Sequence, residues 1–201
     1  RGTEVFFRPA RVTDERAVQN LFYSLSSDDR FHRFLIHLTS LHHAQAQRMV
    51  NCDYRDTMAL VAEVGPESSR ELVAIAQVCR DTPDGAGDDR RVCEFAAMVH
   101  PGWQNAGLGT YLAKVMAELA RAMGFDILRV NVWEENVRML GVLSRLNMHM
   151  SATVDSRVIR MDFDLHEAPG APGLRAETPA QGECAPPNSL GTPRHALPGN
   201  T

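Results

Sequence analysis

Cys93–Gly124 reads CEFAAMVHPGWQNAGLGTYLAKVMAELARAMG, and the rest of the chain is organised around it. Cys93 to Val99 is an apolar, alternating run closed by His100-Pro101-Gly102, which predicts a strand and its end. Leu108, Leu112, Val115, Met116, Leu119 and Met123 recur at three- and four-residue steps, which predicts a long helix with these side chains inward. Gly124 follows the last of them, where a left-handed residue ends a helix. Between strand and helix lies Gln104-Asn105-Ala106-Gly107-Leu108-Gly109. A helix opening on such a loop offers unpaired backbone N–H groups and a positive dipole end, and glycines let phosphate oxygens come close. No Gly-Lys-Ser/Thr follows, so a Walker loop is excluded, and the spacing falls short of G-x-G-x-x-G.

Toward the N-terminus, Val5 to Pro9 reads as a first strand, and Thr13 as the N-cap of a helix burying Val18, Leu21, Phe22 and Leu25. A second helix starts at Ser26-Ser27-Asp28-Asp29 and carries Phe31, Phe34, Leu35 and Leu38. A third is expected from Thr39-Ser40 to about Asn51. Met58–Val64 and Glu71–Cys79 form a hairpin across a turn-rich link, and residues 81–89 make an exposed turn into the key stretch. Toward the C-terminus, Ile127–Trp133 is a strand, and Glu134-Glu135-Asn136 leads into a helix with Met139, Leu140, Leu143 and Leu146 inward, stopped at Asn147. The last strand alternates Ile159, Met161, Phe163 and Leu165 with Arg160, Asp162 and Asp164.

The expected fold class is therefore α+β: a mixed, mainly antiparallel sheet flanked by helices, with a crossover helix through its middle. Residues 1–166 make one domain. Seven of the eleven prolines and five of the fourteen glycines fall after Glu167, so 167–201 reads as a disordered tail.

The net charge of −4 and a pI near 6.1 argue against a nucleic-acid footprint. No apolar run approaches the roughly 20 residues a membrane span needs, and no signal peptide is visible, so a cytoplasmic protein is expected. Cys52, Cys79, Cys93 and Cys184 have no C-x-x-C pairing and read as free thiols in a reducing compartment, with no metal site expected. Lys114 is the only lysine among 21 lysines and arginines, as arginine-rich coding gives or as avoidance of self-modification would select.

Gln104, Gly107 and Gly109 match Q/R-x-x-G-x-G, and with the preceding strand, Trp103 and the following helix they resemble the acetyl-CoA loop of GNAT acyltransferases. Phe7-Arg8-Pro9-Ala10, Ser24-Leu25-Ser26, Arg30-Phe31-His32-Arg33-Phe34, Cys52-Asp53-Tyr54, Glu94-Phe95-Ala96 and Glu135-Asn136-Val137-Arg138-Met139-Leu140 narrow it. Together they resemble bacterial protein lysine acetyltransferases and the GNAT domains fused to NDP-forming acyl-CoA synthetases. A fused domain before Arg1 belongs to that expectation.

The resemblance implies acetyl-CoA as cosubstrate and direct attack by an amine, most simply a protein lysine, in a ternary complex. A small-molecule amine is the alternative acceptor, and a non-catalytic acyl-CoA sensor the alternative of another class. An ammonium of pKa about 10.4 must lose a proton before attack, and a carboxylate can take it directly or through water. Glu94 stands where the family has its catalytic glutamate, within an otherwise apolar strand; facing solvent, or pairing with Arg91 or Arg129, is the bland alternative. Met98 and Val99 would flank the strand splay that holds pantetheine and thioester. Gln104, Asn105, Ala106, Gly107, Leu108, Gly109 and Thr110 would cradle the pyrophosphate. Asn136 matches the family asparagine on the pantetheine arm and equally suits a helix N-cap. The family's acid tyrosine is replaced here by Leu143; Tyr111 reads as packing, and His100 as a turn residue. Arg30, His32 and Arg33 fall on the expected acceptor wall.

Overall fold

The computed structural model describes residues 2–81 and 90–166. The expected tail, most of the expected turn at 81–89, and Cys184 lie outside the described residues. The elements in chain order are β1 (Phe6–Pro9), α1 (Glu15–Ser24), α2 (Ser27–Phe34), α3 (His43–Val50), β2 (Thr57–Val64), β3 (Glu71–Asp81) and β4 (Val92–Val99). They continue with α4 (Leu108–Ala122), β5 (Ile127–Trp133), α5 (Val137–Leu143), β6 (Met150–Asp155) and β7 (Val158–Asp164).

The strands form one seven-stranded sheet in the order β1-β2-β3-β4-β5-β7-β6. All neighbours are antiparallel except β4 and β5, which the crossover helix α4 makes parallel. β2 and β3 are buried on both faces, which fits their unbroken apolar runs. One face packs on α4 and α5 through Phe95, Leu112, Met116, Phe125 and Leu128. The other packs on α1 and α3 through Phe22, Leu41, Val61, Ile75 and Met98.

Several local expectations are corrected. The innermost face of α4 is Leu108, Leu112, Ala113, Met116, Ala117 and Ala120, whereas Val115, Leu119 and Met123 sit at its rim. The alanines let the helix axis come close to the sheet, and periodicity of large residues does not register them. α1 is capped at Asp14 rather than Thr13, and the Asp14 carboxylate holds Arg8 and the Arg11 N–H instead of a helix amide. Helix α3 begins at His43, because Gln45 Oε1 accepts the His42 N–H in a capping box while Leu41 is drawn into the core.

Strand β6 was not expected. MSATVD alternates Met150, Ala152 and Val154 with Ser151, Thr153 and Asp155, but the run is short and largely exposed, being an edge strand paired only to β7. Its turn, Ser156-Arg157, takes positive φ at both positions without glycine or asparagine to signal it. Gly124 and Asn147 do adopt the left-handed conformations expected of them, φ 79° and 53°.

Candidate active site

β4 and β5 pair only over Val92–Glu94 with Ile127–Arg129, and then diverge. The gap opens at the centre of the sheet, where α4 crosses over. In the antiparallel ladder with β3, the His100 N–H bonds Val73 O and no register shift intervenes. Pairing alternates, so Glu94, Ala96 and Met98 spend their backbone groups on β3, while Phe95, Ala97 and Val99 turn theirs toward the gap. The Gln104 side chain takes up the Val99 carbonyl at 3.2 Å. Of the expected pair, Val99 therefore aims its backbone at the gap. Met98 is turned the other way, its side chain 2% exposed in the core. Ala97 is the residue that sequence reading missed, and strand parity would have found it.

At the gap's outer end lies the glycine loop. Gly107 is the N-cap of α4 with φ 86°, and a Cβ built on it would meet nothing within 4 Å. That empty cradle, fronted by first-turn N–H groups, suits a phosphate. Gln104, Asn105, Gly107, Gly109 and Thr110 line the cleft. Leu108 is instead a core residue, 7% exposed, and Ala106 is exposed outside the cleft lining. Lys114 of α4, Arg138 of α5 and Arg145 just past its end line the cleft as well, giving it cations for a polyphosphate.

The whole cleft measures about 1190 Å³, above the ~300–1,000 Å³ of ordinary small-molecule sites. It has room for a long cosubstrate and part of an acceptor. Helix α2 roofs it, held through Asp29 and Phe31 and through the Arg33 bond to Gln77 Oε1 at 3.0 Å. Asp29, next to the Ser26 cap of α2, meets Gln104 Nε2 and Arg138 Nη1, each at 3.3 Å, and Arg138 donates to Gln104 Oε1 at 2.6 Å. Phe31 packs edge-on against Trp133 at the end of β5, with ring centroids 5.2 Å apart.

Glu94, the last paired residue of β4, lines the cleft and is exposed. Although its strand is otherwise apolar, alternation turns Glu94 out of the core, as the solvent-facing alternative has it. Neither expected arginine pairs with it. Arg129 is held between Asp162 and Asp81, at 2.8 and 2.7 Å, and Arg91 bonds Asp56 and the Met123 carbonyl. Among the described residues Glu94 Oε1 accepts one long bond, from Asn131 Nδ2 at 3.3 Å, and its carboxylate is placed without being consumed by an ion pair.

Asn136 caps α5 by accepting the Met139 N–H at 3.1 Å and also lines the cleft. The cap uses its side-chain oxygen alone. Leu143 is 1% exposed in the core, so no proton donor stands there. Tyr111 packs on Phe7, ring centroids 4.7 Å apart, and His100 Nδ1 accepts the Gly102 N–H in the turn expected of it. Arg33 and His32 line the cleft, whereas Arg30 spends its guanidinium on the Leu25 and Tyr23 carbonyls. Among the described residues no cluster of three or more His, Cys, Asp or Glu could hold a metal ion, and no helix is long and apolar enough to cross a membrane.

The GNAT acetyltransferase domain model matches residues 4–149. An acetyltransferase of Pseudomonas aeruginosa is 27% identical over 124 residues, which are 62% of this chain and 63% of that protein's length. Among solved structures, the GNAT domain of S. lividans PAT superposes with a TM-score of 0.69 at 24% identity, over 79% of this chain and 89% of that one. YncA of Salmonella typhimurium, solved with acetyl-CoA, gives 0.62 at 19% identity, over 83% and 98%. At such identities the structural likeness speaks for the fold.

Proposed function

The chain belongs to the GNAT acetyltransferase family, and we propose that it moves the acetyl group of acetyl-CoA to a primary amine, most simply the ε-amine of a protein lysine. One observation carries the reading: a single cleft joins a glycine cradle, a splayed strand pair and an unpaired carboxylate, in that order along β4 and its loop.

The loop amides after Gly107, with Lys114, Arg138 and Arg145 nearby, suit the phosphates of acetyl-CoA. Val99 and Ala97 offer backbone groups to the pantetheine arm and the thioester oxygen, where a donor that strengthens as charge develops lowers the barrier. Glu94 accepts the ammonium proton, directly or through a water, and the neutral amine then attacks the thioester carbon. The carbon–sulfur bond breaks and coenzyme A leaves as thiolate. With leucine at 143, the solvent in this open cleft supplies its proton. The open reach past α2 to Glu94 favours a lysine on a protein surface over a fully enclosed small amine.

Replacing Glu94 with Gln tests the assignment. General-base loss is worth about 10²–10⁴-fold in rate, so Glu94→Gln should lose that much turnover while acetyl-CoA binding measured by calorimetry is kept. Turnover near the unmodified level would refute the base. If the unmodified protein binds acetyl-CoA but releases no thiol with any amine or protein, the sensor reading replaces the enzyme. Isotope-labelled acetyl-CoA in a lysate, read by mass spectrometry, separates protein from metabolite acceptors.

A further inference from the structure

Beside Glu94, the acceptor side of the cleft carries a cation that the acetyl-transfer chemistry does not use. Arg33 reaches down from α2 and lines the same cleft as Glu94, Gln77 and Cys79. Gln77 and Cys79 share one face of β3, and Glu94 is the register partner of Cys79, so all four side chains converge on one patch. The guanidinium is held firmly: Nη2 donates to Gln77 Oε1 at 3.0 Å, and its carbon lies 4.8 Å over the Phe34 ring. Gln77 is itself fixed, since its Nε2 donates to the Met49 carbonyl at 2.9 Å.

What the guanidinium lacks is a carboxylate. Among the described residues Arg33 forms no ion pair, and its Nε is sealed from solvent with no hydrogen-bond partner. Burial lowers its basicity, and the facing charge that most opposes this is Glu94. A desolvated, unpaired arginine is costly, and arginine is the residue whose planar fork suits a carboxylate. A further cation gives no relief: Arg48 lines the same cleft.

We infer that Arg33 anchors a carboxylate carried by the acceptor, so that the amine acetylated at Glu94 has an acidic group beside it. The inference rests on the acetyl-transfer reading above. Glu94 and Arg33 then form the negative and positive poles of one recognition patch, matched to an ammonium and a carboxylate in the opposite order. On a protein this is a lysine with an aspartate or glutamate adjacent in sequence or in space. A free amino acid presents the same chemistry through its α-carboxylate.

Steady-state kinetics on capped peptides provide the test: a single lysine flanked by Asp, the same peptide with Asn, and free versus amidated amino acids. The unmodified protein should favour the Asp peptide over the Asn peptide at least tenfold in kcat/KM, mainly through KM. Arg33→Met should collapse that preference to less than twofold by raising KM for the Asp peptide, and Arg33→Lys should restore part of it. A preference for free amino acids that vanishes on amidation supports the same anchor with the other source of carboxylate.

Equal kcat/KM for Asp and Asn peptides, with no discrimination between free and amidated amino acids, overturns the inference while leaving acetyl transfer intact. That comparison needs no variant and so survives any failure of Arg33→Met to fold. A fall in kcat for both peptides alike, with a displaced pH–rate profile, also overturns it, assigning Arg33 to the positioning of Glu94. No thiol release with any acceptor overturns the parent reading and this one with it.

Discussion

The two glycines of the cofactor loop should respond to the same substitution with opposite signs of stability. Gly109 is the second residue of α4, and a Cβ built there meets only Val142 Cγ2 at 3.6 Å, an ordinary contact. Glycine within a helix costs about 0.5–1 kcal/mol relative to alanine. For a domain of this size each kcal/mol moves Tm by roughly 2–4 °C, so Gly109→Ala should raise Tm of the unliganded protein by about 1–4 °C. Gly107 has equally open space but φ 86°. A side chain in the left-handed region costs roughly 1–2 kcal/mol, so Gly107→Ala should lower Tm by about 2–8 °C on the same scale. On the proposed function both methyls would stand where loop amides meet phosphate, and both variants should then bind acetyl-CoA at least tenfold more weakly, about 1.4 kcal/mol. Thermal unfolding without ligand and calorimetric titration with acetyl-CoA read the two quantities separately. A destabilised Gly109→Ala would refute the reasoning about local space. A Gly109→Ala that binds acetyl-CoA as tightly as the unmodified protein would refute the cradle.

Two further outcomes are expected. Asp53 accepts the N–H groups of Arg55, Asp56 and Thr57, which hold its carboxyl well below the usual aspartate range. Its folded-state pKa is depressed, so its stabilisation is present above the unfolded value of about 3.9 and fades as pH falls through the folded one. Asp53→Asn should therefore lower Tm most at neutral pH, and the gap should close on acidification; a gap independent of pH would contradict this. The Cys93 thiol is pushed up to about 12 by burial, and burial also raises Cys79 and Cys52. All three should resist alkylation at neutral pH in the folded protein and react in denaturant, as peptide mapping after iodoacetamide would show. Rapid native labelling of Cys93 would contradict its burial.

The centre of this fold was legible because its signals are backbone necessities. Gly107 and Gly124 take left-handed conformations that side chains resist, and the strand before them ends at a proline. Strand β6 did leave a trace, Met150, Ala152 and Val154 alternating with polar residues, but only the first two reach the core and Val154 is exposed, so the signal is weak. Glu94 was found by resemblance, while its exposure was left open. A carboxylate flanked by apolar residues on a strand sits on the opposite face from its immediate neighbours, and only the topology shows whether that face is core or cleft. Choosing between Met98 and Val99 needed the ladder's hydrogen-bond phase, which one misplaced residue inverts. The Arg33–Gln77 bond joins residues 44 apart in the chain, and no local pattern announces it.

An open sheet has two outer edges, and this one has two more inside it. Beyond Glu94 and Arg129, β4 and β5 no longer pair with each other, and their facing backbone groups are released from the ladder. Edges of that kind ordinarily recruit strands from other molecules and are blunted with charge or cover. Here the cover is α2, tied down by Asp29 and Phe31. A further strand completing the sheet there would have to displace α2 and break its Asp29 and Phe31 contacts, so the roof that bounds the cleft also protects the interior edges.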